Sequence, residues 1–303
     1  MSFRCLTAGD LVGVIAPAGP AAPQQLVAVE QLYARHGLRV RLYPGCEADI
    51  GYLAGPDAVR LADLHAALAD DDVAAIHCLR GGYGTMRLLD GVDTALLRAK
   101  PKLLIGYSDI TALHALWCRQ GLASLHAPMP ASDLIKPGRE ADEAALFALL
   151  RGGLRAGDVL APAIGPTALR VEGVAEGRLI GGNLSLVAAL LGTGFEWPAD
   201  GAILFLEDIN EELYRVDRLL TQMRLAGVLH AVSGFVLGSF TEATEPTPLL
   251  REMLARLGKP LLAGWPSGHG TPNRPLPLGL PVRLSVWAHG GSLTLLQDFI
   301  DPR

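Results

Sequence analysis

Apolar positions in the first third of the chain fall into short runs that alternate with longer amphipathic segments. The run "DLVGVIAP" has the pattern of a buried strand, and "LRVRLYP", "VAAIHCLRGG" and "LLIG" are predicted as the next strands. Two helices are predicted between them, and their inward faces are formed by Leu26, Val29, Leu32 and Tyr33 in the first and by Leu61, Leu64 and Leu68 in the second. Apolar strands that alternate with helices predict a parallel sheet covered on both faces.

The pattern loosens between about Ala131 and Thr167, where proline, glycine and mixed charges are frequent. After it come further strands ("AILFLEDIN", "GFVLGSF", "PLLAGW"), helices between them, and a terminal pair of strands around His289. At 303 residues the chain exceeds the length at which one core usually keeps growing. We therefore predict an α/β protein with a doubly wound parallel-sheet domain over residues 1–150, a linker over 151–167, and a smaller C-terminal α/β domain with mixed strands over 168–303.

Composition excludes several classes of function. Half of the residues are hydrophobic, so the chain is not disordered, and the net charge of −5 comes without any block of Lys or Arg. A nucleic-acid partner is therefore not expected, and a small neutral or cationic ligand fits better. No apolar run reaches the ~18 residues of a membrane span, and the first residues lack a signal-peptide pattern. These features predict a cytoplasmic protein with no membrane partner.

The cysteines and two of the histidines are expected to be structural. Cys5, Cys46, Cys78 and Cys118 are scattered without CxxC spacing, so neither a disulfide framework nor a zinc site is indicated. His114 and His126 could line the pocket, but core or surface positions are preferred for both. The sequence thus implies neither a metal nor a cofactor.

Three reactive side chains follow apolar strands directly. Ser108 follows "LLIGY", Glu207 follows "AILFL", and His269 lies in "PSGHG" after "PLLAGW". Ligands of parallel sheets bind at the carboxyl ends of the strands. A serine hydroxyl becomes a good nucleophile only when an imidazole takes its proton and a carboxylate orients that imidazole. The three residues together therefore suggest a Ser-His-Glu triad.

Each of these residues also has a structural interpretation. Ser108 could be the N-cap of the following helix. Glu207 could cap the helix that begins near Glu211 or pair with Arg215, and His269 could be an ordinary loop histidine. Only their joint position at strand ends favours catalysis.

The loop "RGGYGTMRLL" brings adjacent glycines to another strand end. Backbone N–H groups at such glycines suit an oxyanion hole, a phosphate or a substrate carboxylate, because no Cβ blocks the approach. The spacing differs from the G-x-G-x-x-G dinucleotide fingerprint. A plain tight turn is the alternative.

Five segments together resemble one enzyme family: "RGGYGTMRLLD", "GYSDITALH", "GGNLSLVAALLGT", "LFLEDINEELYRVDRLLTQMRLAG" and "PSGHG" with "LPLG". They are similar to the LD-carboxypeptidases, serine peptidases that also include the microcin C immunity peptidases. The resemblance extends from "APAGP" to "LPLG" and implies a two-domain enzyme, usually a dimer. The first motif departs at Gly19, where the family commonly has another small polar residue. The loops at residues 44–56 and 128–140 are expected to shape specificity.

The resemblance implies that Ser108 is the nucleophile, His269 its base and Glu207 the partner of His269. The implied activity is a serine carboxypeptidase that cleaves the L,D bond between a diamino acid and a terminal D-alanine in cell-wall tetrapeptides. Asp208, Asp217 and Arg218 belong to the resemblance and are expected to orient their neighbours. The candidate substrate-binding groups are the backbone N–H groups of Gly82 and Asp109, for the oxyanion, and the side chains of Arg80 and Arg274, for the terminal carboxylate.

Two other functions fit the sequence. A peptidase or amidase of the same family could act on an aminoacyl nucleotide, with Trp197 or Trp265 stacking on the base. A protein of a different class, a non-catalytic binder of a small ligand, could be built on the same doubly wound domain.

Overall fold

The computed structural model describes residues 2–163, 165, 168–242 and 245–301. Its strands are β1 (Phe3–Arg4), β2 (Leu11–Ile15), β3 (Arg39–Leu42), β4 (Val73–Cys78), β5 (Leu103–Gly106), β6 (Ser124–His126), β7 (Val159–Leu160), β8 (Arg170–Val171), β9 (Gly173–Asn183), β10 (Ile203–Ile209), β11 (Gly234–Thr241), β12 (Leu261–Ala263), β13 (Leu276–Leu278), β14 (Pro281–Trp287), β15 (Gly290–Leu295) and β16 (Ile300–Asp301).

The helices are α1 (Pro23–Arg35), α2 (Asp57–Ala69), α3 (Thr94–Ala99), α4 (Thr111–Arg119), α5 (Glu140–Gly152), α6 (Leu184–Ala189), α7 (Leu213–Leu225), α8 (Val228–Ala231) and α9 (Thr247–Met253). Among the described residues, no helix is both long enough and apolar enough to cross a membrane.

Helix α1 shows how the sequence determines the first domain. Its buried residues are Leu26, Val29, Leu32 and Tyr33, the inward face that the spacing predicts. Pro23 occupies the first turn, where a missing N–H costs nothing. The Gln25 side chain accepts a 2.8 Å hydrogen bond from the Ala22 N–H and so satisfies the donor that precedes the helix.

The first sheet has six strands in the order β13-β6-β5-β4-β2-β3. Strands β2 to β6 are parallel, as the alternating pattern predicts, and the α/β fold class is confirmed. Strand β13 differs, because it comes from the C-terminal part of the chain and pairs antiparallel with β6. The sheet is therefore mixed at one edge, through a pairing between distant segments that local periodicity does not reveal.

The second sheet has eight strands in the order β7-β15-β14-β9-β10-β11-β12-β8. Strands β9 to β12 are parallel at its centre, and antiparallel strands flank them. This is the mixed architecture predicted for the C-terminal half. The predicted terminal pair of strands is the antiparallel hairpin β14–β15.

The two halves are joined at several places. Strand β1 pairs with β16, so the two ends of the described chain lie together. One cluster of buried apolar side chains contains residues of both halves, among them Trp117, Leu184 and Phe205. Within the predicted linker, β7 pairs with β15, and residues 164, 166 and 167 lie outside the described part. The domain limits themselves stay a prediction.

Candidate active site

Ser108 lies on a sharp turn between strand β5 and helix α4. Its φ is +63°, a left-handed conformation that non-glycine residues rarely adopt and that often marks functional positions. The short 3₁₀ turn Ser108–Ile110 follows, and no side chain caps it or helix α4. The N-cap interpretation of Ser108 is therefore wrong, because its hydroxyl is directed elsewhere.

The hydroxyl oxygen of Ser108 lies 3.1 Å from Nε2 of His269. Nδ1 of His269 lies 2.7 Å from Oε2 of Glu207, and the His269 backbone N–H donates to the same oxygen at 3.1 Å. Since the carboxylate can only accept, Nδ1 carries the proton and Nε2 is left with a lone pair facing the Ser108 hydroxyl. This is the arrangement in which an imidazole can take a proton from serine.

Glu207 is fully buried near the carboxyl end of strand β10. Neither structural alternative for it holds, because Arg215 lies 3.7 Å from Glu211 and no cap involves Glu207. Gly268 allows the close approach of the histidine loop, since a Cβ there would lie 2.5 Å from Oε2 of Glu207. A larger residue at position 268 would push the loop away from the carboxylate.

The environment of His269 raises the pKa of its imidazole. Burial alone would lower the pKa of His269, but the charge and hydrogen bond of Glu207 outweigh burial and raise that pKa above its ordinary value. Smaller contributions in the same direction come from Asp208 and Asp133. The site therefore stabilises the imidazolium that forms when His269 accepts a proton.

An open pocket lies in front of Ser108 and His269. It contains two of the predicted substrate-binding residues, Arg80 and Gly82, and its lining is formed by Arg80, Gly81, Gly82, Tyr107, Ser108, Met129, Ser132, Asp133, Lys136, Arg139, Ile209, Glu242 and His269. The glycine loop, residues 80–84 ("RGGYG"), lies against the nucleophile, since a Cβ at Gly81 would lie 2.9 Å from Cβ of Ser108. The loop is thus more than a plain turn, because its backbone forms one wall of the pocket.

The side chains of the two other predicted binding residues, Asp109 and Arg274, have partners outside the pocket, and the prediction for Asp109 concerns its backbone N–H. The side chain of Asp109 is buried and accepts a 2.8 Å hydrogen bond from the Thr85 N–H, which ties the glycine loop to the Ser108 turn. Burial raises the pKa of Asp109. Arg274 does not line the pocket, and its guanidinium donates instead to the Ala141 carbonyl at 3.1 Å. The structure gives no support for carboxylate binding by Arg274.

Segment 129–139 supplies five pocket residues that pattern reasoning did not single out, although its loop was expected to affect specificity. Asp133 accepts hydrogen bonds from the Tyr107 hydroxyl and from the Met129 N–H, both at 2.9 Å. The Tyr107 ring in turn lies 4.8 Å from the His269 ring. The "GYSD" motif is a sequence signal that could have pointed to Tyr107. The residues of segment 129–139 have no such signal, because their positions depend on the path of a polar loop.

The pocket contains three cationic side chains with different partners. Arg139 donates to Asp142 at 2.9 Å and to the Gly270 carbonyl at 3.1 Å. Among the described residues, the Arg80 guanidinium donates only to carbonyl oxygens, those of Pro20 and Gly81. Within the described part of the chain no carboxylate lies within 4.0 Å of Arg80 or Lys136. These two cations are therefore free to meet an anionic substrate group.

The remaining candidates are structural. His114 and His126 are buried, as are the four cysteines, which are free thiols. Trp197 and Trp265 are also buried and do not line the pocket, so neither is placed to stack on a nucleotide base.

Asp208, Asp217 and Arg218, which belong to the resemblance, each contact a neighbouring side chain. Asp208 accepts hydrogen bonds from Asn183 and from Ser185, both at 2.8 Å. Asp217 accepts from Thr221, and Arg218 lies over the Tyr214 ring. No group of three or more His, Cys, Asp or Glu residues in the described chain is arranged to hold a metal ion.

Comparisons with known proteins agree on one family. The LD-carboxypeptidase N-terminal domain matches residues 12–127, and the LD-carboxypeptidase C-terminal domain matches residues 176–284. The murein tetrapeptide carboxypeptidase of Pseudomonas aeruginosa is 38% identical over 283 residues, which cover 88% of this chain and 91% of that protein.

Solved structures show the same fold. Muramoyltetrapeptide carboxypeptidase from Oxalobacter formigenes aligns with a TM-score of 0.86 and 29% identity, over 96% of this chain and 100% of that one. The microcin C7 self-immunity protein in complex with aspartyl sulfamoyl adenosine aligns with a TM-score of 0.88 and 23% identity, over 97% and 98%. The second likeness is one of fold alone.

Proposed function

The chain belongs to the LD-carboxypeptidase family, and on this premise we propose that it is a serine carboxypeptidase that releases the terminal D-alanine of murein tetrapeptides. The bond cleaved joins the L-configured centre of a diamino acid to the D-alanine. One observation carries the proposal: the Ser108 hydroxyl lies 3.1 Å from an imidazole whose other nitrogen is held by a buried carboxylate.

Acylation uses the tautomer of His269 that Glu207 fixes. Nε2 takes the proton of the Ser108 hydroxyl while the oxygen forms a bond to the carbonyl carbon of the diamino acid. The negative charge on the carbonyl oxygen is met by the backbone N–H groups of Gly82 and Asp109. Losing one donor of such a hole typically costs on the order of 10²–10³ in turnover.

Collapse of the tetrahedral intermediate breaks the bond to the D-alanine nitrogen. That nitrogen receives the proton from the imidazolium of His269, and free D-alanine leaves. A water molecule then gives a proton to His269 and attacks the ester, which releases the tripeptide and restores the Ser108 hydroxyl.

Arg80 is assigned to the carboxylate of the leaving D-alanine. It lies in the same loop as Gly82, and its guanidinium has carbonyl partners but no carboxylate among the described residues. A cation at this place distinguishes a carboxypeptidase from an enzyme that cleaves within a chain, because only a terminal residue presents a free carboxylate.

The experiment is incubation of the protein with three compounds, with products followed by mass. The compounds are an L,D-tetrapeptide, the same peptide with a C-terminal amide, and an aminoacyl sulfamoyl adenosine. We expect rapid release of D-alanine from the free acid and much slower cleavage of the amide. Preferential cleavage of the nucleotide compound would favour the rival activity, and cleavage of none would favour a non-catalytic binder.

The physiological setting is part of the proposal. We propose that the enzyme acts in the cytoplasm on recycled murein peptides and forms a homodimer, as the family resemblance implies. Light scattering of the purified protein tests the dimer, since a monomer mass at micromolar concentration contradicts it. Immunoblots of cell fractions test the location.

A further inference from the structure

Three residues other than glycine have a positive φ in the described chain; two of them, Ser108 and Glu242, line the pocket, and the third, Asn210, directly follows the pocket residue Ile209. Ser108 has φ +63°, Asn210 +57° and Glu242 +58°. Asn210 and Glu242 follow strands β10 and β11, and the Asn210 N–H donates to the Thr241 carbonyl at 2.8 Å. Strained backbone persists where the surrounding structure enforces it, and it is concentrated at catalytic and ligand-binding positions.

Glu242 is one of two acidic side chains that line the pocket. The other, Asp133, is buried and engaged with Tyr107, Met129 and Ser132. Glu242 is exposed, and no described side chain forms a hydrogen bond or ion pair with it. Among the described residues it is therefore the acidic group of the pocket that can bind a cation from a ligand.

We propose that Glu242 determines specificity by binding the ammonium group on the side chain of the substrate's third residue. The inference rests on the proposed function, in which the carbonyl of that diamino acid is attacked by Ser108. Because the attacked carbonyl and the ammonium belong to one residue, the group that recognises the ammonium has to lie within reach of one side chain from Ser108. Glu242 meets this requirement.

The distribution of charge in the pocket fits this assignment. Arg80 and Gly82 lie on the glycine loop after strand β4, where the D-alanine carboxylate and the oxyanion are assigned. Glu242 follows strand β11 of the other sheet. The groups assigned to the leaving D-alanine and the oxyanion thus follow one strand, and the carboxylate assigned to the diamino acid follows a strand of the other sheet. The same carboxylate repels an anionic group at this position.

The test uses tetrapeptides that differ only in the third residue, which is L-lysine, L-norleucine or L-2-aminoadipate. For the wild-type protein we expect kcat/KM to be about tenfold higher for lysine than for norleucine, the effect of one partly solvated charge-assisted hydrogen bond. Glu242→Gln should abolish this difference, and Glu242→Lys should favour aminoadipate over lysine. Both variants retain a non-glycine residue at the strained position.

Glu252→Gln is the matched control, since Glu252 is exposed on helix α9, does not line this pocket, and gives the same change in net charge as Glu242→Gln. It should leave the lysine-to-norleucine ratio unchanged. Cleavage by the wild type with no preference for lysine, or an unchanged ratio in Glu242→Gln, would overturn the inference alone. A wild-type protein that cleaves none of the three peptides would overturn the proposed function as well.

Discussion

The hydroxyl oxygen of Thr111 accepts a 3.1 Å hydrogen bond from the backbone N–H of Asn183. Thr111 begins helix α4 behind Ser108, whereas Asn183 ends strand β9 and is paired in register with Glu207. The Asn183 side chain also donates to Asp208 at 2.8 Å. This contact joins the element that carries the nucleophile to the strand that carries the carboxylate of the triad.

Thr111→Val should therefore lower turnover without removing a catalytic group. The substitution keeps the shape but leaves the buried Asn183 N–H unpaired, at a cost of ~1–3 kcal/mol in the free energy of unfolding. Because displacements of ~1 Å can cost on the order of 10²-fold, we expect kcat to fall about tenfold or more with KM little changed. Steady-state kinetics on the tetrapeptide measure both.

Thr221→Val is the control, since Thr221 lies on helix α7 and the only partner of its hydroxyl among the described residues is Asp217. Its kcat should stay within about twofold of wild type, because an exposed polar contact on a helix contributes little free energy. A Thr111→Val protein with full activity would show that this contact does not position the two halves of the site.

Glu207→Gln should change the pH profile as well as the rate. The base must be neutral, so kcat/KM falls as pH drops through the pKa of His269, which Glu207 raises above the ordinary ~6.5. The glutamine removes that charge, and the acidic limb should move to lower pH. The plateau should fall by on the order of 10³–10⁴, because the imidazole loses its fixed tautomer. If the acidic limb of the kcat/KM profile lies at the same pH in wild type and in Glu207→Gln, a group other than His269 determines it.

Arg80→Met should impair binding of the free acid but spare the amide. If Arg80 binds the terminal carboxylate, its removal should raise KM for the tetrapeptide about 10- to 100-fold, the usual effect of losing a charge-assisted hydrogen bond. For the peptide with a C-terminal amide, KM should change little. An equal loss for both peptides would indicate that Arg80 supports the glycine loop rather than the substrate.

The buried histidines predict sensitivity to acid. Burial lowers the pKa of His77 and of His114 to about 4. The unfolded chain, with ordinary imidazoles, then binds protons first, so this stability is present above about pH 6.5 and is lost as pH falls toward 4. Each of the two imidazoles should lower the free energy of unfolding by on the order of 3 kcal/mol as the pH falls from about 6.5 to about 4.

Urea unfolding at a series of pH values measures this effect. His114→Gln should be less stable than wild type at neutral pH, since it disturbs bonds to Ser124 and the Gly106 carbonyl, but its stability should fall less steeply in acid. An unfolding free energy that does not change between about pH 7 and about pH 4.5 would contradict the prediction.

Local patterns predicted much of the fold because most of the longer strands and helices are marked by their own apolar spacing. The same spacing placed Ser108, Glu207 and His269 at strand ends. The antiparallel strand β13 could not be predicted this way, since Leu276 pairs with His126 across a long stretch of sequence. Long-range pairing leaves no local signal.

The burial and orientation of charged side chains could not be predicted from the spacing of apolar residues either. In helix α2 the spacing marked Leu61 as inward, yet Leu61 is only partly buried and Arg60 is 1% exposed. The Arg60 guanidinium donates to the carbonyls of Gly84 and Pro17 and thereby supports the glycine loop. Arg274 was assigned to the pocket from its charge, but its direction depends on packing against helix α5. Composition gives the charge of a side chain and not its orientation.

The central claim is that Ser108 is a nucleophile activated by His269, and covalent labelling tests it most directly. The folded wild-type protein is treated with a fluorophosphonate, and the modified peptide is mapped by mass while D-alanine release is followed. We predict one adduct on Ser108, loss of activity in step with labelling, no adduct in Ser108→Ala, and turnover in that variant below about a thousandth of wild type. Continued release of D-alanine by Ser108→Ala, or by protein fully labelled at Ser108, would contradict the mechanism.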